Sequence, residues 1–338
     1  MGSDLAARPA ELRPSGLANK ITDFLLRYGA YVALLAVFAY FSLRSPVFLT
    51  ATNMIRVLQQ VAVLAIAAFG MTTVVMGGGT HIIEGGIDLS IGAQIGLAAG
   101  IYSVMMRDGF SVPEALGVGL AATLLIGLLN GLAVVYLRIL PLLATLAMMF
   151  VVGGVELLVT NNLVISVNIP FVRTIADGAV LGIPIPVVIL LVTFGLYYVL
   201  LHRTPVGVHI QAIGSNREAA RRAGLPVKGF TILTYVLAGL AAAISSVVVI
   251  GRLSGSTRGI GPLLFLDIVL AAYVSTMFSP KWAMNIPGAF LGALFVGILT
   301  NGFTMINIPT YWVHAVKGLL ILFVVAATSL QKKRSSVQ

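Results

Sequence analysis

The sequence predicts an all-α polytopic membrane protein with about ten transmembrane helices. Hydrophobic residues make up 59% of the 338 and charged residues only 9%, and the mean hydropathy is +1.03. A soluble domain carries about a quarter charged residues, so this chain lacks the side chains for a fully solvated surface. In addition, apolar segments recur at close to the ~20 residues that a helix needs to cross the hydrocarbon core of a bilayer.

Ten such segments follow one another along the chain, and the eighth is the shortest. Pro262, Asp267 and Pro280 bracket the eighth segment, a pattern typical of a broken or re-entrant helix. The predicted spans are residues 25–43, 54–77, 87–106, 113–136, 140–160, 184–201, 228–250, 262–277, 285–303 and 311–330. The chain thus divides into an N-terminal tail (1–24), a transmembrane domain (25–330) with a charged loop at 202–227, and a C-terminal tail (331–338).

Lysine and arginine positions predict the orientation. With a cytoplasmic N-terminus, fourteen lie inside, five lie outside, and Arg56 and Lys317 fall within spans. The outside set is Arg44, Arg107, Arg173, Arg252 and Arg258. This positive-inside bias favours ten spans with both termini in the cytoplasm. The polar first two dozen residues lack the short apolar core of a signal peptide and are expected to form a cytoplasmic tail.

Several function classes are disfavoured by what the sequence lacks. Without cysteine there is no disulfide framework, thiol nucleophile or thiolate metal site. No Gly-Lys-Ser or Gly-Lys-Thr follows the glycine-rich stretch, so no P-loop is expected. His314 has no metal-type ligands at suitable spacing, and no catalytic set of side chains is evident. The net charge of +10 resides at span edges and forms no stripe for nucleic acid. The sequence therefore predicts neither an enzyme nor a bound cofactor or metal.

The loop at 202–227 holds the densest charge in the protein. Asn216 can cap a short helix there, Glu218 would lie in its first turn, and Gly224 followed by Pro226 would end it. A charged helix on the cytoplasmic side is typical of a membrane protein that a soluble partner drives.

Residues 77–90 have the unusual sequence GGGTHIIEGGIDLS. Glycines at this density let the backbone bend, and carboxylates at a membrane edge are costly unless paired or hydrated. Asp88 could mark a kinked helix entry beside a transport path, or it could cap the third span within a packing hinge. Gly92, Gly96 and Gly100 give that span a flat face suited to close helix contact.

Two residue pairs suggest an inverted internal repeat. Asn130 near the end of span four is echoed by Asn301 in span nine, and Asp88 by Asp267 at the start of span eight. An offset of five spans would invert one half relative to the other, although chance can produce two such pairs.

Other polar residues within spans have two interpretations each. Asn130 and Asn301 can join helices or contact a solute, and the first is the commoner role. Glu156 and Lys317 lie near span ends, where long side chains reach towards the interface more often than they line a path.

With these residues in place, the chain resembles the ribose-type sugar permeases of bacterial ABC importers from about Phe48 to Ser329. The first shared motif is Gly85-Gly86-Ile87-Asp88-Leu89-Ser90-Ile91-Gly92. The second begins at Thr204-Pro205 and continues from Ala212 to Gly224. The third comprises Gly292-Ala293, Asn301-Gly302, Tyr311-Trp312 and Val316-Lys317-Gly318.

The resemblance implies a permease subunit in the bacterial inner membrane that pairs with a second, identical or different, permease subunit. A cytoplasmic ATPase would bind ATP and Mg, a periplasmic binding protein would deliver a small sugar, and lipid would surround the helices. The residues implied in ATPase coupling are Ala212, Gly214, Asn216, Glu218, Ala219, Ala220, Arg221 and Gly224. Those implied along a substrate path are Gly85, Gly86, Asp88, Ser90, Gly92, Asn130, Asp267 and Asn301.

Residues 79–84 and 275–281 depart from the family pattern and leave the solute open. The alternatives are an ABC permease for another small polar solute, such as a nucleoside or branched-chain amino acid, or an ion-coupled secondary transporter. The latter would need carboxylates in the middle of spans, whereas Asp88, Asp267 and Glu156 lie nearer span ends.

Overall fold

The computed structural model describes residues 16–79, 86–279 and 282–335, with side chains described from residue 28 to residue 327 within these ranges. This part of the chain is mostly helical, with two short antiparallel ladders and connecting turns and loops. The helices are α1 (Gly16–Arg44), α2 (Ala51–Gly78), α3 (Ile91–Arg107), α4 (Val112–Val135), α5 (Pro141–Thr160), α6 (Pro170–Asp177), α7 (Ile185–His202), α8 (Pro205–Ser215), α9 (Arg217–Arg222), α10 (Val227–Leu253), α11 (Ile260–Val274), α12 (Ile286–Met305) and α13 (Thr310–Ser335).

The two ladders join loops between the long helices. β1 (Ile165–Ser166) pairs with β4 (Gly255–Ser256), and β2 (Ala179–Val180) pairs with β3 (Ile183–Pro184). The first ladder therefore connects the segment after α5 to the segment after α10.

The ten predicted spans coincide with the ten long helices, which confirms the all-α polytopic fold class. Within the described ranges, eight helices are long and apolar enough to cross a membrane; the apolar part of α1, Tyr28–Arg44, is shorter, and α3 is not among the eight. A 3-10 turn, Ser275–Phe278, extends α11, so the eighth span is continuous rather than broken. The first helix begins at Gly16 rather than near residue 25.

Local capping explains where several helices begin and end. Ser111 and Glu114 form a reciprocal capping box at the start of α4, and Asn285 accepts a hydrogen bond from the Gly288 N–H at the start of α12. Asn161 adopts a left-handed conformation after α5. The side chains of Ser111, Glu114 and Asn285 and the backbone N–H of Asn161 satisfy backbone groups that the helices themselves leave unpaired.

The helices α2 and α10 form the centre of the bundle. They pack along their length, and a Cβ at Gly70 would lie only 2.7 Å from the Cβ of Ala241. By contrast, α5, α7 and α13 leave most of their apolar surface uncovered in the protomer. Large exposed side chains such as Leu158, Leu191 and Phe323 are expected on helices that face lipid or a second subunit.

The packing supports the predicted inverted repeat. α10 packs on α3 and α4 as α2 packs on α11 and α12, and α3 contacts α4 and α5 as α11 contacts α12 and α13. α11 begins the same number of residues after α3 as α13 begins after α5. Gly92 and Gly261 make a reciprocal contact, since a Cβ on either would lie 2.6 Å from the carbonyl oxygen of the other.

Only one of the two echoed residue pairs fits this repeat. Asn130 and Asn301 both lie near the C-terminal end of equivalent helices. Asp88 precedes α3, whereas Asp267 lies inside α11, so the two aspartates do not correspond.

Candidate transport and coupling sites

The segment before α3 folds back along the end of α2. A Cβ on Gly86 would lie 1.9 Å from the carbonyl oxygen of Val74, and a Cβ on Gly70 would lie 3.1 Å from the Cδ1 of Ile91. Real Cβ atoms do not approach so closely, so only glycine fits at position 86. Gly85 and residues 80–84, part of the stretch that departs from the family, lie outside the described residues.

Asp88 is the centre of a buried polar network. Its Oδ1 accepts hydrogen bonds from the Ser90 backbone N–H (2.9 Å) and from Ser90 Oγ (2.6 Å). Gln94 Nε2 donates to Asp88 Oδ2 (3.3 Å) and Ser90 Oγ (2.9 Å), and Asn130 Nδ2 donates to Ser90 Oγ (2.9 Å). The network thereby fixes the entry of α3 against α4.

This geometry differs from a simple helix cap. Ser90, rather than Asp88, is the residue at the start of α3, and its own side chain makes no capping bond. Asp88, Ser90, Gln94 and Asn130 are all fully buried, so in this conformation the network contacts other helices rather than the surface of the protomer. A direct role of these residues in a substrate path stays a prediction.

Glycines of α3 bring two other elements close to this network. Gly92 lies against Gly261 at the start of α11, and Gly96 lies against the carboxylate of Glu156 on α5. Glu156 is buried, and its Oε1 accepts a hydrogen bond from the Gly259 N–H (3.1 Å). The expectation that this carboxylate reaches towards the interface is therefore wrong, because it satisfies the backbone just before α11 instead.

Asp267 and Lys317 form an ion pair between α11 and α13. Lys317 Nζ lies 2.7 Å from Asp267 Oδ1, and the two side chains are only 4% and 10% exposed respectively. The expectation that Lys317 reaches towards the interface is therefore wrong, because its ammonium group is buried against Asp267. Sequence analysis missed this pair, although an acid in span eight and a lysine in span ten are a usable signal, since buried charges need partners.

Asn301 joins two helices through a reciprocal amide pair. Its Nδ2 donates to Asn53 Oδ1 (2.9 Å), and Asn53 Nδ2 donates to Asn301 Oδ1 (3.0 Å) and to the Phe48 carbonyl (2.8 Å). Asn53 was not singled out from the sequence. The polar residues predicted along one substrate path thus occupy three separate contacts, around Asp88, Asp267 and Asn301.

The predicted helix in the loop at 202–227 exists, and its capping is confirmed. Asn216 Oδ1 accepts a hydrogen bond from the Ala219 N–H (2.9 Å), and Gly224 ends the segment with φ of +83°. However, residues 212–224 are not one helix. They comprise the end of α8, a break at Asn216 and the six-residue α9, because Asn216 leaves helical geometry (φ −154°, ψ 97°).

The surface of α9 is charged and well exposed. Glu218 forms ion pairs with Arg221 and Arg222, the second at 3.1 Å, and all three side chains are at least half exposed. Ala212 and Ala219 are also exposed, whereas Ala220 packs with Ile213 and Val227 in a small apolar cluster. Arg217 donates to Thr231 Oγ1 (3.2 Å) and ties α9 to the start of α10.

The second departure from the family pattern includes the 3-10 turn after α11. Tyr31 donates to the Phe278 carbonyl (3.2 Å), and His202 Nε2 accepts from the Ile286 N–H (3.2 Å). These contacts attach the connection between α11 and α12 to α1 and α7. Pro280 and Lys281 lie outside the described residues.

No group of three or more histidine, aspartate or glutamate side chains suited to a metal ion occurs among the described residues. Asp267 and Asn301 instead pair with side chains of a neighbouring helix, and Glu156 pairs with the backbone before α11.

Comparison with known proteins settles the class. A family model described as the branched-chain amino acid transport system / permease component matches residues 53–325. The chain belongs to this permease family. It is therefore a multi-pass membrane permease of transport systems. No solved structure matches the chain.

The relatives are similar along most of their length. The ribose import permease protein RbsC of Bacillus subtilis (strain 168) is 32% identical over 95% of this chain and 95% of its own. The galactofuranose transporter permease protein YtfT of Escherichia coli (strain K12) is 34% identical over 81% of this chain and 79% of its own. The galactose/methyl galactoside import permease protein MglC of the same strain is 30% identical over 92% of this chain and 96% of its own.

Proposed function

We propose that this permease is the membrane-spanning subunit of an ABC importer that passes a small sugar of the pentose or hexose class by alternating access. The observation that carries the proposal is the exposed, charged α9, which is anchored to α10 by Arg217 and by the apolar contact of Ala220. A charged helix attached to the bundle by these contacts offers a soluble ATPase a docking surface.

The relatives favour a sugar over the other solutes. The matched family model carries an amino acid description, whereas the relatives similar over most of the chain are named for ribose, galactofuranose and galactose. We infer that this chain shares their substrate class. A nucleoside or amino acid remains the alternative within the same machinery.

The proposed assembly contains two permease subunits, two ATPase subunits that hold ATP and Mg, and a periplasmic binding protein. The two termini would lie in the cytoplasm, on the same side as α8 and α9. In this arrangement the outer segments, including α6 and the β1–β4 ladder, would face the binding protein. The residues around Asp88 would lie at the hinge beside the path rather than in the path itself.

ATP hydrolysis by the reconstituted complex tests the proposal. Wild type and Glu218→Arg are placed in lipid nanodiscs with the ATPase encoded beside the permease gene, with and without binding protein loaded with D-ribose or D-galactose. We expect loaded binding protein to stimulate wild type, and the charge reversal to remove stimulation while the permease remains folded. A wild-type chain that neither binds nor stimulates the ATPase would contradict the importer, and sodium- or proton-driven uptake would then support the secondary transporter.

A further inference from the structure

The two short helices of the 202–227 segment present different faces. α9 exposes Glu218, Arg221 and Arg222. α8 turns Ile210, which is fully buried, and the partly buried Gly214 towards the bundle. The segment therefore has an outward charged part and an inward apolar part.

The inward face of α8 meets the end of α2 backbone to backbone. A Cβ on Gly214 would lie 1.8 Å from the Met76 carbonyl oxygen and 3.4 Å from the Gly79 nitrogen. A Cβ on Gly79 would lie 2.8 Å from the Gly214 carbonyl oxygen. Because no side chain separates the two backbones, neither can yield by changing rotamer, and a shift of α8 towards α2 displaces α2.

The same turns of α2 also contact the segment that leads to Asp88. Gly86 packs on the Val74 carbonyl, and its Cβ would lie 3.1 Å from the Cα of Gly78. Gly77 lies between Ile210 of α8 and Thr234 of α10. The end of α2 is thus packed between α8 on one side and the entry to α3 on the other.

We propose that the contact of Gly214 with Met76 and Gly79 is a rigid joint through which α8 passes movement of α9 to the end of α2, and from there to the Asp88 network. In this arrangement α9 contacts the ATPase, and Gly214 is a positioning residue that touches neither ATPase nor sugar. The inference rests on the proposed importer function. It assigns separate tasks to two helices that the family motif treats as one loop.

Separate measurements of ATPase binding and uptake distinguish the two tasks. Gly214→Ala is compared with Glu218→Arg and with Gly229→Ala, a matched control on α10 whose added Cβ meets nothing within 4 Å. Proteoliposomes contain permease, ATPase and binding protein, and the label is whichever of D-ribose and D-galactose wild type takes up faster. We expect Gly214→Ala to keep the ATPase bound while uptake per ATP hydrolysed falls about ten-fold or more. Glu218→Arg should lose the ATPase itself, and Gly229→Ala should behave as wild type.

The alternative outcomes are distinct. If Gly214→Ala lost ATPase binding, α8 would belong to the docking surface, and the proposed joint at Gly214 would be overturned. The proposed importer function would still stand. Uptake at the wild-type rate in Gly214→Ala would also overturn the joint. Absence of ATPase binding by wild type would instead contradict the importer function, and the joint with it.

Thiol labelling tests the joint without disturbing the glycine. The chain has no cysteine, so Ile210→Cys and Val208→Cys each introduce a single thiol, the first buried against Gly77 and the second exposed on the same helix. A rigid joint keeps residue 210 protected from maleimide without nucleotide, with ATP and after vanadate trapping, while residue 208 reacts throughout. Exposure of residue 210 in any of these states would show that α8 slides on α2 and would overturn the proposal.

Discussion

At the residue scale, the Asp267–Lys317 ion pair is the contact whose effect on stability is easiest to predict. Both charges are buried between α11 and α13, so each is tolerable only while the other is present. Removing one partner of a buried pair leaves an uncompensated charge, whereas replacing both by apolar groups of similar volume can be nearly neutral.

We therefore predict that Asp267→Asn lowers the stability of the purified permease by about 3–5 kcal/mol. The double variant Asp267→Leu/Lys317→Met should recover most of that loss. Thermal unfolding in detergent measures both. A double variant no more stable than the single one would show that the pair has a role beyond mutual neutralisation.

The reciprocal amides of Asn53 and Asn301 lead to a second prediction. Asn53→Ala and Asn301→Ala should each cost about 1–3 kcal/mol, since each leaves at least the amide oxygen of the buried partner without its donor. Because the two side chains are partners, the double variant should be destabilised by clearly less than the two losses combined. Additive losses in a double-mutant cycle would contradict the pairing.

At the element scale, the end of α2 and the entry to α3 depend on glycine. Gly86→Ala should misplace the Asp88 network, because its Cβ would meet the Val74 carbonyl at 1.9 Å. We expect a large drop in folded protein in the membrane. Gly117→Ala on α4, where a Cβ meets nothing within 4 Å, is the matched control and should fold normally. Equal yields of the two variants would contradict the packing described here.

The cap of α9 provides a milder test at the same scale. Asn216→Ala should cost the short helix about 1 kcal/mol, because the Ala219 N–H loses its acceptor. The affinity of the ATPase should fall, while Asn216→Asp, which retains an acceptor oxygen, should preserve it. ATPase binding to the immobilised permease measures the difference, and identical affinities would mean that the ATPase does not contact α9.

At the scale of the whole molecule, much of the fold was predictable from local signals. Apolar length located the ten long helices, and Asn216 and Gly224 revealed where α9 begins and ends. The partners of polar residues were not predictable, because they depend on which helices meet. Asn53 and Lys317 became informative only when α12 and α11 were found beside them. The division of 212–224 into two helices depends on the backbone at a single residue, Asn216.

The candidate substrate path shows the same limit. The sequence grouped Asp88, Asn130, Asp267 and Asn301 by type and apparent repeat, whereas the structure places them in three separate contacts. The contacts that α2, α3, α4 and α5 make are matched by those of α10, α11, α12 and α13, so the packing retains the inverted repeat even though the aspartates do not correspond.

Uptake of labelled sugar into proteoliposomes tests the central claim most directly. Wild-type permease is reconstituted with its ATPase and binding protein, with ATP and Mg supplied on the ATPase side, and accumulation of D-ribose and D-galactose is followed. The account predicts uptake of at least one sugar that requires ATP, the binding protein and this chain, and that Glu218→Arg abolishes. ATP-independent uptake driven by a sodium or proton gradient, or no uptake of either sugar alongside ATP-driven uptake of an amino acid, would contradict it.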